Sequence, residues 1–252
     1  MRKLLVVPVL FLLMVSCGRK EWKQTDDGVL LRLQPASPAE TSMLKVSVVT
    51  DRIIRVTAVP GKSFSDAKSL IVVDQAPVPP FTVTGEEGFV TVAAAEVRAK
   101  VSLATGQVTF LDGNGNLITS EREGGHSFSP IEVEGTKGFT MQQVWESPDD
   151  EAFYGLGQHQ SDEFNYKGKN EVLFQYNTKV SVPMLVSNKN YGILWDNYSL
   201  SKFGDPRDYS EMDLFGLYNA KGEAGGLSAF YYTNSDTSNV FVERNETAID
   251  YE

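Results

Sequence analysis

Cysteine is nearly absent, with Cys17 the single one in 252 residues. A lone thiol excludes an intramolecular disulfide and any zinc centre built on several cysteines. Histidine is almost as scarce, His126 and His159 being the chain's two, so a histidine-rich metal site has little to draw on. Basic residues are in deficit, 23 Lys and Arg against 33 Asp and Glu, for a formal net charge of −10. A surface this acidic repels phosphate backbones, and nucleic acid is not an expected partner. Neutral ligands such as sugars are not excluded. Also missing is any long segment of 3.6-residue periodicity, so no helix beyond about two turns is expected.

What is present begins with MRKLLVVPVLFLLMVSCGRK. Arg2 and Lys3 precede a 12-residue apolar run, Leu4–Val15, too short for the roughly 20 residues that span a bilayer and suited to a cleaved export signal. Met14-Val15-Ser16-Cys17 resembles the bacterial lipobox, which implies lipid attachment at Cys17. The expected organisation is a signal peptide over 1–16, a polar tether over 17–28 and a folded body from Val29. Without Arg2 and Lys3 the balance is 21 basic to 33 acidic residues.

From Val29 the chain alternates apolar and polar residues in run after run: VLLRLQ, LKVSVVT, RIIRVTAV, SLIVVD, FTVTG, FVTVAAAEVRAKVSL, QVTFLD, NLITSE. Turn signals such as GEEG, ATG and DGNG separate them. Short strands at this spacing predict an all-β antiparallel sandwich. VTFLDGNGNLIT is the clearest hairpin, with Gly113 and Gly115 placed to supply positive φ. The sandwich is expected to run over 29–222, and GGLSAFYYT and NVFVE give strands within 223–252.

Several constellations invite a chemical reading. Gly155-x-Gly157 lacks the third glycine and the following helix of a dinucleotide loop. His126, in the polar stretch EGGHSFSP, reads as a solvated loop residue, whereas His159, beside glycines and aromatics, is placed to edge a binding site. Paired carboxylates for glycoside hydrolysis stand about 5 to 10 Å apart on a rigid scaffold. Asp149-Asp150-Glu151, Asp162-Glu163, Asp196 and Asp205 supply carboxylates, but none is singled out by spacing. Phe164, Tyr166, Phe174 and Tyr176 are spaced in twos, which favours core and cross-strand packing over a sugar platform. No metal or cofactor is expected.

AFYGLGQHQSDEF followed by VLFQYNTKVSVPMLVSNKNYGILWDNYS resembles the N-terminal, galactose-mutarotase-like β-sandwich of family 31 glycoside hydrolases, the α-glucosidase and α-xylosidase family. The likeness extends upstream through DRIIRVTAV and GQVTFLDGNGNLITSE, covering roughly Val29 to Asp213. The segment 223–252 is similar to the opening strands of a PA14 module, which implies that the chain stops before a (β/α)₈ barrel whose two aspartates do the chemistry in the family. In complete members the segment aligned with Phe174-Gln175-Tyr176-Asn177 lends a polar residue, often an aspartate, to the leaving-group side of the substrate. Asn177 takes that place, and Gln158 replaces a frequent glutamate. An amide still hydrogen-bonds a sugar hydroxyl but brings no charge.

The resemblance therefore implies a non-catalytic N-terminal portion of an α-xylosidase-like enzyme, inactive alone, bracing the barrel and edging the leaving-group subsite. Gln158, His159, Gln175 and Asn177 are the implied substrate-binding residues. An oligosaccharide, of xyloglucan or α-glucoside type, and a membrane reached through the lipid anchor are the implied partners, in the bacterial cell envelope facing the periplasm or the cell surface. The alternative is a stand-alone surface lipoprotein that binds carbohydrate without cleaving it.

Overall fold

A computed structural model describes residues 21–73, 77–160, 162–204, 218–233, 237 and 239–247. Cys17, Asp205 and the apolar run Leu4–Val15 lie outside the described residues. The chain divides into two compact units, at Gly204 and Asp205. Every strand pair in both units is antiparallel, and no helix occurs among the described residues.

In the first unit, β1 (Trp22–Thr25), β2 (Gly28–Arg32), β3 (Met43–Thr50) and β4 (Ile53–Val59) form one sheet in chain order. β5 (Thr82–Glu86), β6 (Phe89–Ala93), β7 (Val97–Ser102), β8 (Val108–Asp112), β9 (Leu117–Val133) and β10 (Thr136–Trp145) form a second, also in order. The alternation read in the sequence sets which side chains point inward. Leu44, Val46 and Val48 of β3 bury against Val90 and Val92 of β6 and Val97, Ala99 and Val101 of β7, while Lys45 and Ser47 face out. Two half-apolar sheets sharing one apolar layer make the expected sandwich.

A smaller assembly follows. β11 (Phe153–Gln158), β13 (Val180–Ser187) and β14 (Tyr191–Leu194) form a three-stranded sheet in the order β11-β13-β14, and β12 (Glu171–Leu173) pairs with β15 (Ser201–Phe203). Phe153, Leu156, Tyr166 and Leu185 form a separate small core. Asp196 ties this part to β4, accepting from Arg55 Nη2 at 2.7 Å and Ser69 Oγ at 2.9 Å. The second unit contains the hairpin of β16 (Leu227–Tyr232) and β17 (Val240–Glu246).

Five expectations need correction. The tether expected over 17–28 already contains β1, whose Trp22–Thr25 pair with Gly28–Leu31 of β2, so the folded body begins before Val29. SLIVVD forms no strand over its described residues 69–73; Ser69 Oγ accepts from the amides of Ile71 and Val72, and this local turn competes with pairing. EGGHSFSP is not a loop but part of β9, whose pairing with β10 absorbs its polar residues. In the DGNG turn only Gly115 has positive φ, at 92°. Gly113 is there for closeness, since a Cβ would sit 2.9 Å from Ala95 O. Finally, of the four alternating aromatics only Tyr166 is buried, and Phe164, Phe174 and Tyr176 are exposed.

Candidate functional site

The stretch FYGLGQH ends β11 in three successive residues of positive φ: Gly155 at 106°, Leu156 at 63° and Gly157 at 102°. Glycine accepts such angles at no steric cost. Leu156 adopts one because its side chain is sunk in the small core, 3% exposed. The backbone register slips between Gly155 and Gly157 as β11 runs along β13, and Gln158 ends opposite Val180. Gln158 is exposed there.

Just before β13 the chain makes a two-residue reversal. Tyr176 N donates to Lys179 O at 3.3 Å and Lys179 N to Tyr176 O at 3.0 Å, so Asn177 and Thr178 form an exposed tip. Gln175 is fastened beside it, its Oε1 accepting from Ser181 N at 3.2 Å. Phe174 and Tyr176 stand out to solvent with ring centroids 6.3 Å apart and planes tilted by 34°.

His159 lies under this surface, its side chain 2% exposed. Nε2 contacts Leu156 O at 2.8 Å; the carbonyl can only accept, so Nε2 carries the hydrogen. Nδ1 faces Glu171 Oε1 at 3.3 Å, and the same carboxylate pairs with Lys179 Nζ, which also donates to Val172 O at 2.6 Å. The edge of the imidazole meets the Tyr166 ring. His159 is thus a buried brace beneath the turn rather than a surface contact. Gln158, Gln175 and Asn177 gather at one end of the β11–β13 pair.

The carboxylates considered from sequence are mostly engaged. Glu163 pairs with Lys169 and Asp150 with Lys189, both at the surface. Glu151, 3% exposed, accepts from Ser187 Oγ at 2.5 Å, Tyr191 OH at 2.6 Å and Ser147 Oγ at 2.7 Å. Burial alone raises its pKa, but the hydrogen bonds from Ser187, Tyr191 and Ser147 outweigh it and hold the group below the ordinary value. Burial and the bond to Glu151 push the Tyr191 hydroxyl up to about 12. Apart from Ser147, four residues back in the chain, nothing local in the sequence announces this cage, because Ser187 and Tyr191 arrive from distant strands.

Along β13, Val180, Val182 and Val186 are exposed at period two, with Leu194 of β14 and Val172 of β12 also exposed. Removing Asn177 should not disturb this frame. Asn177→Ala is expected to change unfolding stability by no more than about 0.5 kcal/mol in a urea titration, since the residue is exposed at a tip.

The fold is that of an antiparallel β-sandwich domain with an exposed turn at one end of its smaller sheet. Residues 43–203 match the family model described as the glycosyl hydrolase 31 N-terminal galactose mutarotase-like domain, and the chain belongs to glycoside hydrolase family 31. An α-xylosidase of Saccharolobus solfataricus is 28% identical over 169 residues, covering 62% of this chain and 22% of the relative. The crystal structure of a family 31 α-xylosidase from Xanthomonas citri superposes with a TM-score of 0.75 at 40% identity, covering 89% of this chain and 24% of that one. A soil-metagenome α-xylosidase crystallised with xylose shares the fold, with a TM-score of 0.61 at 23% identity over 72% of this chain and 29% of that one. The chain spans about a quarter of the length of these relatives.

Proposed function

We propose that the chain is the N-terminal, non-catalytic part of a lipid-anchored α-glycosidase of the α-xylosidase type, acting on plant oligosaccharides such as xyloglucan fragments. The sandwich braces the catalytic domain, and the Tyr176–Lys179 turn edges the leaving-group subsite through Asn177, with Gln158 and Gln175 beside it. The observation that carries this reading is the exposed apolar row Val180, Val182 and Val186 running away from that turn. A row of that kind is suited to packing under another domain. Cys17 is the anchor point, residues 223–252 open a PA14-like module, and the protein sits in the bacterial cell envelope, facing the periplasm or the cell surface.

Retaining hydrolysis needs two carboxyl groups about 5 Å apart and free to exchange protons or attack the sugar. Here Glu151, Glu171 and Asp196 are each held by hydroxyl or cationic partners. The chain by itself is therefore expected not to hydrolyse an aryl α-xyloside. Enzyme-like rates from the purified chain, with host contamination excluded, would end the proposal. The native protein, detected with an antibody to the sandwich, should run much heavier than the 27.8 kDa of this chain.

In the full-length enzyme, Asn177→Ala is expected to lower kcat/KM for an oligosaccharide about tenfold, the loss of one hydrogen bond to a leaving-group hydroxyl. An aryl α-xyloside offers no such hydroxyl, so its kcat/KM should stay within about twofold. Equal losses on both substrates would remove Asn177 from the subsite.

A second reading, a stand-alone lipoprotein that binds carbohydrate without cleaving it, is favoured by the exposed Phe174 and Tyr176 rings. It requires a native product near 27.8 kDa and measurable heat on titration with xyloglucan oligosaccharides.

A further inference from the structure

Three titratable side chains lie buried beneath the Asn177 turn without a part in the chemistry proposed above: His159, Glu171 and Lys179, their side chains 2%, 13% and 11% exposed. They come from three places. His159 follows Gln158 at the end of β11, Glu171 opens β12, and Lys179 stands between the turn and β13. Lys179 Nζ reaches back across the neck of the loop, pairing with Glu171 Oε1 and donating to Val172 O at 2.6 Å. The same Oε1 faces His159 Nδ1 at 3.3 Å. The imidazole is itself fixed, through Nε2 to Leu156 O at 2.8 Å and edge-on against Tyr166 with ring centroids 6.0 Å apart.

Topology gives this cluster its use. The Gln158↔Val180 pair fixes β11 to β13. β12 belongs to a different sheet, in which its partner is β15. The limb that climbs from β12 to Asn177 and the limb that descends into β13 therefore share no strand ladder. The backbone bonds between Tyr176 and Lys179, and the bond from Ser181 N to Gln175 Oε1, close the turn near its tip. It is the Lys179 side chain that reaches β12 itself. A buried ion pair is a poor source of stability, since apolar residues of similar volume serve as well or better. Its distinctive property is intolerance of displacement, because moving Lys179 leaves Glu171 a buried charge without its cation.

We propose that Glu171 and Lys179 are positioning residues for Asn177. Their buried pair ties the turn to β12, and the carboxylate, lodged against His159, fixes the turn relative to Gln158. This role rests on the reading of the turn as the edge of the leaving-group subsite. Neither side chain is exposed enough to meet an oligosaccharide, so both act through the amide they place. A hydrogen bond weakens steeply once its distance and angle are lost, and a small misplacement of a positioning group carries into the rate. Asn177 itself stands at an exposed tip, where its own contacts do not hold it.

The test replaces both charges at once, Glu171→Leu with Lys179→Met, so that no buried ion is left alone and Tm stays close to that of the parent. In the full chain, hydrogen exchange over 173–178 should become about tenfold faster, with residues 43–50 of the sandwich unchanged. In the full-length enzyme the paired replacement should lower kcat/KM for an oligosaccharide about tenfold. In an Asn177→Ala background it should add no more than about twofold. A merely structural role would instead give losses that multiply. If the apolar pair lowers Tm, Glu171→Gln with Lys179→Met keeps the shape beside His159 without the tie across the neck, and is read in the same way. Unchanged exchange over 173–178 overturns the proposal, and so do multiplying losses. Asn177→Ala without effect on the oligosaccharide ends the subsite reading, and this role with it. A loss from Asn177→Ala beside none from the paired replacement ends only the role of Glu171 and Lys179 and leaves the subsite standing.

Discussion

Replacing Glu151 with alanine is expected to lower the unfolding free energy of the first unit by about 3–4 kcal/mol, measured by urea titration. The carboxylate is 3% exposed and accepts from three hydroxyls, those of Ser147, Ser187 and Tyr191. Alanine leaves those hydroxyls facing a dry gap, and an unsatisfied buried donor costs roughly 1–3 kcal/mol, not fully additively. Lys167 also donates to Ser147, so its charge loses part of its setting. Glu151→Gln retains the shape and one acceptor, and should lose only about 1–2 kcal/mol. Equal stability of the alanine variant and the parent would mean that the cage carries no net energy.

The same group gives a pH signature with a defined sign. Its folded pKa lies below the ordinary 4.5, so across that interval the unfolded chain binds more protons than the folded one. The contribution is fully present above 4.5 and is lost as pH falls through the lowered folded value. Asp112, lowered by Asn116, Asp150, lowered by Lys189, and Asp27, lowered by Lys45 against its own burial, titrate in the same direction. Comparison with Glu151→Gln isolates the one group: the gap in stability between parent and variant should shrink on acidification below 4.5. A gap that stays constant there would assign the stabilisation to shape rather than charge.

Glu151 also marks where sequence reading stops. The alternation of LKVSVVT and EVRAKVSL is a local property, and it translated directly into Leu44, Val46 and Val48 packed on Val97, Ala99 and Val101. The cage around Glu151 has no local signature, since Ser187 and Tyr191 stand 36 and 40 residues away in the chain. The two histidines show the same limit. His126 sits among glycines and serines and reads as solvated, yet a bulge in β9 turns it onto Glu121, five positions back along the same strand. His159 reads from its neighbours as a residue at the edge of a site, and nothing in that reading announces its burial, which depends on Glu171 of β12 and on Lys179 at the foot of the Asn177 turn. Aromatics failed in the opposite sense. Period-two spacing puts side chains on one face without saying whether that face is covered, and Phe174 and Tyr176 stand on one that is open in the first unit.

The second large effect is expected at Gly157, where alanine should cost about 2–6 kcal/mol, the sum of roughly 1–3 for a strained positive φ and roughly 1–3 for overpacking. Its φ is 102°, and a Cβ would sit 2.0 Å from Val180 O and 2.8 Å from Val182 N. Those atoms are backbone of the neighbouring strand, so no rotamer change relieves the contact and β13 itself has to move. The pairs Gly157↔Ser181 and Gln158↔Val180 are the ones that would open. They hold the end of β11 against the residues that fasten Gln175 and follow the Asn177 turn. Hydrogen exchange should therefore rise over 174–187 in Gly157→Ala while the 43–50 and 97–102 strands of the sandwich stay protected. Gly168→Ala is the control, because its φ of 70° is also positive but nothing lies within 4 Å of the added carbon. It should cost only about 1 kcal/mol. If the two alanines destabilise equally, the backbone angle alone accounts for the glycine, and the close approach of β11 to β13 is not what that position serves.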